Sequence, residues 1–417
     1  MVHHRARAIR REAEKRGGPM QQPFEGARVV EVGDGVAVAA AAKQFSDFGA
    51  RVVKVERPGG GELRRLAPFA EDRPHLETGG MHLALDTGKR SLALDVRTPS
   101  GREVLTRLAG GADLLLVELP PDEAARALDA GRRATPAPST VAITPHGLDG
   151  PYAGRRESEM SIFAWSTRMA RQRPPDGPPL RYAPHTAAMQ VGFTAAAVAS
   201  AALWDRERGG ERRDADVSAV EAHSGNVDTN FTAWSLNQGI APVSATRSVR
   251  IFPVGTYRCL DGFVQFTAGE PPFFQRSCAA IGHPEWPEDP RFRDPETRAD
   301  YHDDYMEAFL PWIEVRTKLE VFREMQDHGV LCTPVLSVEE AVAEPVAEAR
   351  HSFVTVKQPV VGEMLLAGAP FRLGGVEGDA WRALPAPRLG AHNAELLDEL
   401  DYNRDEQIAL FRAGVTG

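Results

Sequence analysis

Two short β-branched runs, Arg28-Val-Val-Glu-Val32 and Arg51-Val-Val-Lys-Val55, flank a segment from Val38 to Phe48 whose apolar residues recur at helical spacing. A strand, a helix and a second strand in so few residues form a βαβ unit, whose crossover returns the chain to the same end of one sheet and makes the strands parallel. A parallel sheet is buried on both faces, so helices must continue to alternate with strands. They do: Ser91 to Asp95 reads as a strand, Ser100 to Leu108 as a helix, and Ala112 to Val117 and Thr140 to Thr144 as further strands. Asp214 to Ser218 adds one more strand, followed by a helix from Val220. The expectation is an α/β fold, with a doubly wound large domain over residues 23–225.

The pattern changes after residue 225. Trp234 to Val249 is polar and loop-like, and Gly255 to Thr267 reads as two alternating strands around an Asp261-Gly262 turn. Helical patterns follow at Pro272 to Ile281, Tyr301 to Val315 and Lys318 to His328, which predicts a smaller α+β domain over 226–345. Residues 346–417 turn to strand and loop, then close with helices at Asn393 to Leu400 and Asp405 to Ala413. The first 22 residues are basic without an apolar centre, so they read as a disordered tail and not as a secretory signal. Ala187 to Trp204 is Ala-rich but interrupted by Gln190, Gly192, Thr194 and Ser200, which reads as a buried helix and not a membrane span.

A net charge of -9 argues against a surface designed for nucleic acid, so an anionic ligand would need a local basic pocket. Cys259, Cys278 and Cys332 have neither CxxC pairing nor metal-ligand spacing, so reduced thiols, a cytoplasmic location and no metal are expected.

Gly33-Asp-Gly35 follows the first strand and opens the first helix, and Glu56 ends the next strand. That spacing approaches the Rossmann dinucleotide fingerprint. Asp34, however, puts a carboxylate where a pyrophosphate would sit. The alternative is a glycine turn chosen only for tight strand-to-helix geometry, and no NAD is expected.

Further segments fall into a recognisable order: Phe48-Gly-Ala-Arg-Val-Val-Lys-Val-Glu-Arg-Pro-Gly-Gly60, Thr87-Gly-Lys-Arg-Ser91, Leu94 to Gly101, Gly147-Leu-Asp-Gly-Pro-Tyr152, Asp216-Val-Ser218 and Ala386-Pro-Arg-Leu-Gly-Ala-His-Asn393. Together with Gly26 to Gly33 they resemble the family III CoA-transferases of the CaiB/BaiF type. The resemblance implies a Rossmann-like large domain built from both chain ends, a small central domain, an interlocked homodimer, and coenzyme A bound as a substrate thioester. It places Arg57 at the nucleotide part of CoA, with Lys54, Arg90, Val36 and Ala37 in the surrounding motifs. A guanidinium suits phosphate because its planar fork makes paired, charge-assisted hydrogen bonds.

The departures carry as much information. Aligned through Pro178-Pro179 and Gly192, the family's nucleophilic Asp falls on Ala188, and no carboxylate occurs from Arg181 to Phe193. A methyl group cannot form the acyl anhydride or thioester through which these transferases work. The histidine of the family's racemase branch falls near Ser158, and the acidic-Asn-Phe segment of the CoA channel reads Glu118-Leu-Pro. The replacement candidates are Glu159, as a general base or alternatively a helix cap or ion-pair partner, and His185, as a proton relay or alternatively a structural loop residue. His146 is expected to pack, and Cys259 is a remote candidate nucleophile. Three readings follow: an acyl-CoA enzyme with isomerase, dehydratase or other proton-transfer chemistry, a transferase using another carboxylate, or a catalytically silent CoA-binding or scaffold subunit.

Overall fold

The computed structural model describes residues 22–172, 177–225, 229–237, 251–371 and 384–417. The expected N-terminal tail, except Gln22, and most of the polar segment after Trp234 lie outside them. The chain divides into two compact units, one of Met1–Ser166, Tyr182–Asp228 and Glu348–Gly417, the other of Thr167–Arg181 and Thr229–Ala347.

The first unit is built on a six-stranded, wholly parallel sheet of β1 (Arg28–Gly33), β2 (Arg51–Glu56), β3 (Arg90–Ala93), β4 (Leu114–Glu118), β5 (Ser139–Thr144) and β6 (Asp214–Ser218), in the order β3-β2-β1-β4-β5-β6. Helices α1 (Val36–Asp47), α2 (Pro99–Gly110), α3 (Pro121–Arg133), α4 (Glu159–Trp165) and α5 (Thr186–Glu207) connect or cover these strands. The expected α/β architecture is what forms. The order reverses between β1 and β4, and at such a switch point the two connections leave in opposite directions and open a crevice beyond the strand ends.

Two apolar layers hold the sheet. Val30, Val32, Val55, Leu92, Leu115 and Val117 pack with α2 and α3 on one face, and Val29, Val52, Leu114, Leu116 and Val141 pack with α1 and α5 on the other. The second face is unusually close because α1 and α5 are rows of alanine. A β-carbon on Gly192 of α5 would meet the Ala37 carbonyl oxygen at 2.5 Å and Ala40 Cβ at 2.9 Å, so only glycine permits this approach. The apolar length of α5 is thus explained by core packing of the first unit: Ala187, Val191, Ala195, Ala199 and Leu203 are buried.

The chain's end closes the sheet. At edge strand β3 the Ser91 N–H donates to His392 Nδ1 at 3.1 Å and the Ala93 N–H donates to Asn393 Oδ1 at 2.8 Å. The His-Asn pair of the C-terminal motif therefore satisfies strand donors that would otherwise be free. Helices α10 (Asn393–Glu399) and α11 (Arg404–Arg412) follow within a residue or two of their expected positions.

In the second unit, β7 (Val254–Cys259) and β8 (Gly262–Thr267) form the expected hairpin, its two-residue turn being Leu260-Asp261. Strand β9 (Cys332–Pro334) joins β8. Helices α7 (Phe273–Ala280), α8 (His302–Glu314) and α9 (Lys318–Asp327) complete an aromatic core around Phe252, Tyr257, Phe266, Tyr305 and Phe309. Trp234 to Asn237, expected as loop, ends helix α6 (Thr229–Asn237).

Candidate functional site

A cavity of about 460 Å³ opens in the first unit where β1 and β4 diverge. It is lined by the turn Asp34-Gly35, the start of α1, the ends of β4 and β5, Arg156, Glu157, Glu159 and Ile162, and the start of α5. Ile143, Ile162, Val191 and Ala219 make much of it apolar, while Asp34, Glu62, Glu118, Glu157 and Glu159 bring carboxyl groups against the guanidinium groups of Arg57 and Arg156.

Glu118 is the last residue of β4, and its carboxyl group turns toward the N-terminus of α1. Its Oε2 accepts a hydrogen bond from the Val38 N–H at 2.7 Å, satisfying one of the free donors at the helix start. Burial pushes this carboxyl up to about 7, against the pull of the Val38 N–H, with the charges of Glu31 and Asp34 adding to the rise. In sequence, Glu118 stands out only as part of a departure from the family's channel segment. The signal that would have found it is an acid ending a central strand at the switch point.

The same carboxyl group explains the glycine turn. A β-carbon on Gly35 would collide with it, and one on Gly33 would collide with the Glu118 backbone oxygen. The space where the dinucleotide fingerprint would seat a pyrophosphate is filled by the protein's own carboxyl group. Beside it, Asp34 is raised by burial and drawn down by Arg57, whose Nη2 lies 2.8 Å from its Oδ2.

Helix α4 starts behind a Ser158–Ser161 capping box and presents Glu159 to the start of α5. Glu159 Oε2 accepts from the His185 N–H at 2.8 Å and its Oε1 from the Ala188 N–H at 3.1 Å. His185 sits in the left-handed region at φ 68°, a conformation held by that hydrogen bond. The carboxylate thus caps the positive end of α5, the alternative weighed against a general base. His185 and Ala188 both line the cavity, so the two candidates and the vacant position are indeed brought together.

Of the positions expected around CoA, Val36, Ala37 and Arg57 line the cavity, Arg57 with its side chain 45% exposed at the mouth. Lys54 and Arg90 do not. Lys54 Nζ is buried 2.7 Å from Glu31 and 3.4 Å from Asp86. Burial lowers the affinity of that ammonium for its proton, but Asp86 and Glu31 outweigh it and hold the group charged. Lys89 bridges the same two acids at 2.7 and 2.9 Å, and His82 lies 2.8 Å from Asp86. With both carboxylates already facing it, Lys54 has no free side for a phosphate. Arg90 pairs with Glu395 and Glu399, pinning α10 to the edge strand.

His146 packs against Tyr152 and Trp165 at ring separations of 5.5 Å and lies 3.0 Å from Glu157. The three cysteines are buried and unbridged, and burial pushes the thiols of Cys278 and Cys332 up to about 12 and raises that of Cys259. Cys259 is therefore a protonated, poor nucleophile. Among the described residues no group of three or more His, Cys, Asp or Glu side chains could hold a metal ion.

The sequence profile of CoA-transferase family III matches residues 24–393. Succinyl-CoA:(R)-benzylsuccinate CoA-transferase subunit BbsE of Thauera aromatica is 29% identical over 412 residues, covering 95% of this chain and 98% of that protein. Formyl-CoA:oxalate CoA-transferase of Streptomyces avermitilis is 27% identical over 418 residues, covering 94% and 99%. A CaiB/BaiF family protein from Brucella suis has the same fold, with a TM-score of 0.79 at 23% identity over 92% of this chain and 100% of that one.

Proposed function

Because this chain belongs to CoA-transferase family III, we propose that it binds an acyl-CoA thioester in this cavity and moves a proton on the acyl group, by isomerisation, dehydration or a related reaction, without an acyl-enzyme anhydride. The observation that carries the reading is the wall formed by Ala188 and Glu159. The position matched to the family nucleophile offers a methyl group, and the adjacent acid has each oxygen hydrogen-bonded to a backbone N–H of α5. Arg57, at the mouth and paired with Asp34, would meet CoA phosphate.

One observation favours a second reading. The Thauera aromatica relative is by name a subunit of its enzyme, which fits a chain that works beside an active partner and leaves the covalent step to it. Phe193 and Trp204, exposed on α5, offer an apolar face for a second chain, whether a like copy or that partner.

The test is to incubate the purified chain with acyl-CoA donors and free-acid acceptors in deuterated water, beside an Ala188→Asp variant, and follow thioester composition and mass. Deuterium uptake without acyl exchange is the expected result. Acyl exchange by the unaltered chain would show that another carboxylate is the nucleophile. Binding with neither reaction would favour the silent-subunit reading.

A further inference from the structure

We infer that Glu118 is the group that exchanges a proton with the α-carbon of the bound acyl-CoA. This rests on the proton-transfer reading above and assigns its residue. Glu118 ends β4 and Thr144 ends β5, neighbouring strands whose carboxyl ends meet the cavity. Glu118 holds the Val38 N–H with Oε2, and Oε1 has no protein partner among the described residues. An acid that lines the cavity with one oxygen fixed by a backbone donor and the other open offers that oxygen to a ligand.

Of the other acids there, Glu62 is exposed to solvent and the rest are occupied. Glu159 caps α5, Glu157 is held by His146 and Asp34 by Arg57. The charged groups acting on Glu118 are Glu31 of β1, Lys54 of β2 and Asp34 of the turn, and burial among them gives it a proton affinity near neutrality. A carboxyl group so tuned can both take and return a proton at working pH.

The step is balanced within the substrate. The α-carbon–hydrogen bond breaks, the proton passes to Oε1, and the electron pair moves onto the thioester oxygen. Return of the proton to the α-carbon or to a conjugated carbon regenerates Glu118. No oxidant, reductant or co-reactant is consumed.

The experiment uses the full chain with butyryl-CoA in deuterated water across roughly pH 5.5 to 8.5, reading α-deuterium by mass spectrometry and binding by calorimetry. Exchange should rise with pH through a midpoint near 7. Glu118→Gln, which keeps an acceptor for Val38, should bind butyryl-CoA but exchange at least ~100-fold more slowly. If Glu118→Gln exchanges like the unaltered chain, this assignment is overturned and the proton-transfer reading survives. If the unaltered chain binds butyryl-CoA but exchanges at no pH, the reading fails and the assignment with it.

Discussion

The carboxyl group of Glu118 occupies the volume that any side chain at Gly35 would need. The turn after β1 and the end of β4 are therefore built for each other. Gly35 is in extended backbone, so its requirement is for space and not for an unusual dihedral angle. Gly35→Ala should push the carboxyl group off the Val38 N–H. The expected outcome is a ~10-fold or greater loss of α-proton exchange with a melting temperature only a few degrees lower, since the displaced group can move into the cavity. Exchange kinetics beside thermal melts check this.

Glu118 should also leave a signature in stability against pH. Its folded proton affinity is raised from 4.5 to about 7, so between those values the unfolded chain gives up its proton while the folded chain retains it. Stability from this group therefore falls as pH rises through that window, and the deficit of roughly 3 kcal/mol persists above it. Glu118→Gln removes the deficit. Denaturant titration should find the variant more stable than the parent at pH 8 and nearly equal to it at pH 4.5, a difference opposite in sign to its effect on exchange.

The network under β1 and β2 tests a different contribution. Lys54 is buried between Glu31 and Asp86, with Lys89 touching the same two acids. Lys54→Met keeps the volume but leaves two buried carboxylates facing one ammonium. A loss of about 3–5 kcal/mol is expected in urea unfolding, as for one partner removed from a buried ion pair. The affinity for CoA should follow the folded fraction only.

Glu159 is expected to behave as a cap. Glu159→Ala frees the His185 and Ala188 N–H groups and should lower stability by about 1–2 kcal/mol. It should leave the pH midpoint of α-proton exchange unchanged. A shifted midpoint would show that Glu159 itself takes part in proton transfer.

Much of this protein can be read without coordinates because its strands are short, β-branched and regularly spaced. The runs around Val29 and Val52 become β1 and β2 in register, and the hairpin before Thr267 forms where the alternating pattern puts it. Val36, Ala37, Arg57, Glu159, His185 and Ala188 do meet at one cavity. The misplacements have a common cause. Lys54 and Arg90 lie in the right motifs, but a motif does not say which side of a strand a residue faces or which acids await it. Trp234 reads as loop in the sequence because polar neighbours dilute a short helical pattern.

The sequence by itself determined the parallel α/β sheet, the separate smaller unit and the absence of a carboxylate at Ala188, since periodicity and residue identity are local properties. Tertiary structure decided which acid is left open. Glu118 and Glu159 are indistinguishable as letters, yet one caps α5 with two backbone hydrogen bonds while the other enters a strand switch with one oxygen unpartnered among the described residues. Proton affinity depends on burial and on charges brought together from β1, β2 and the turn, and those distances exist only once the sheet has formed.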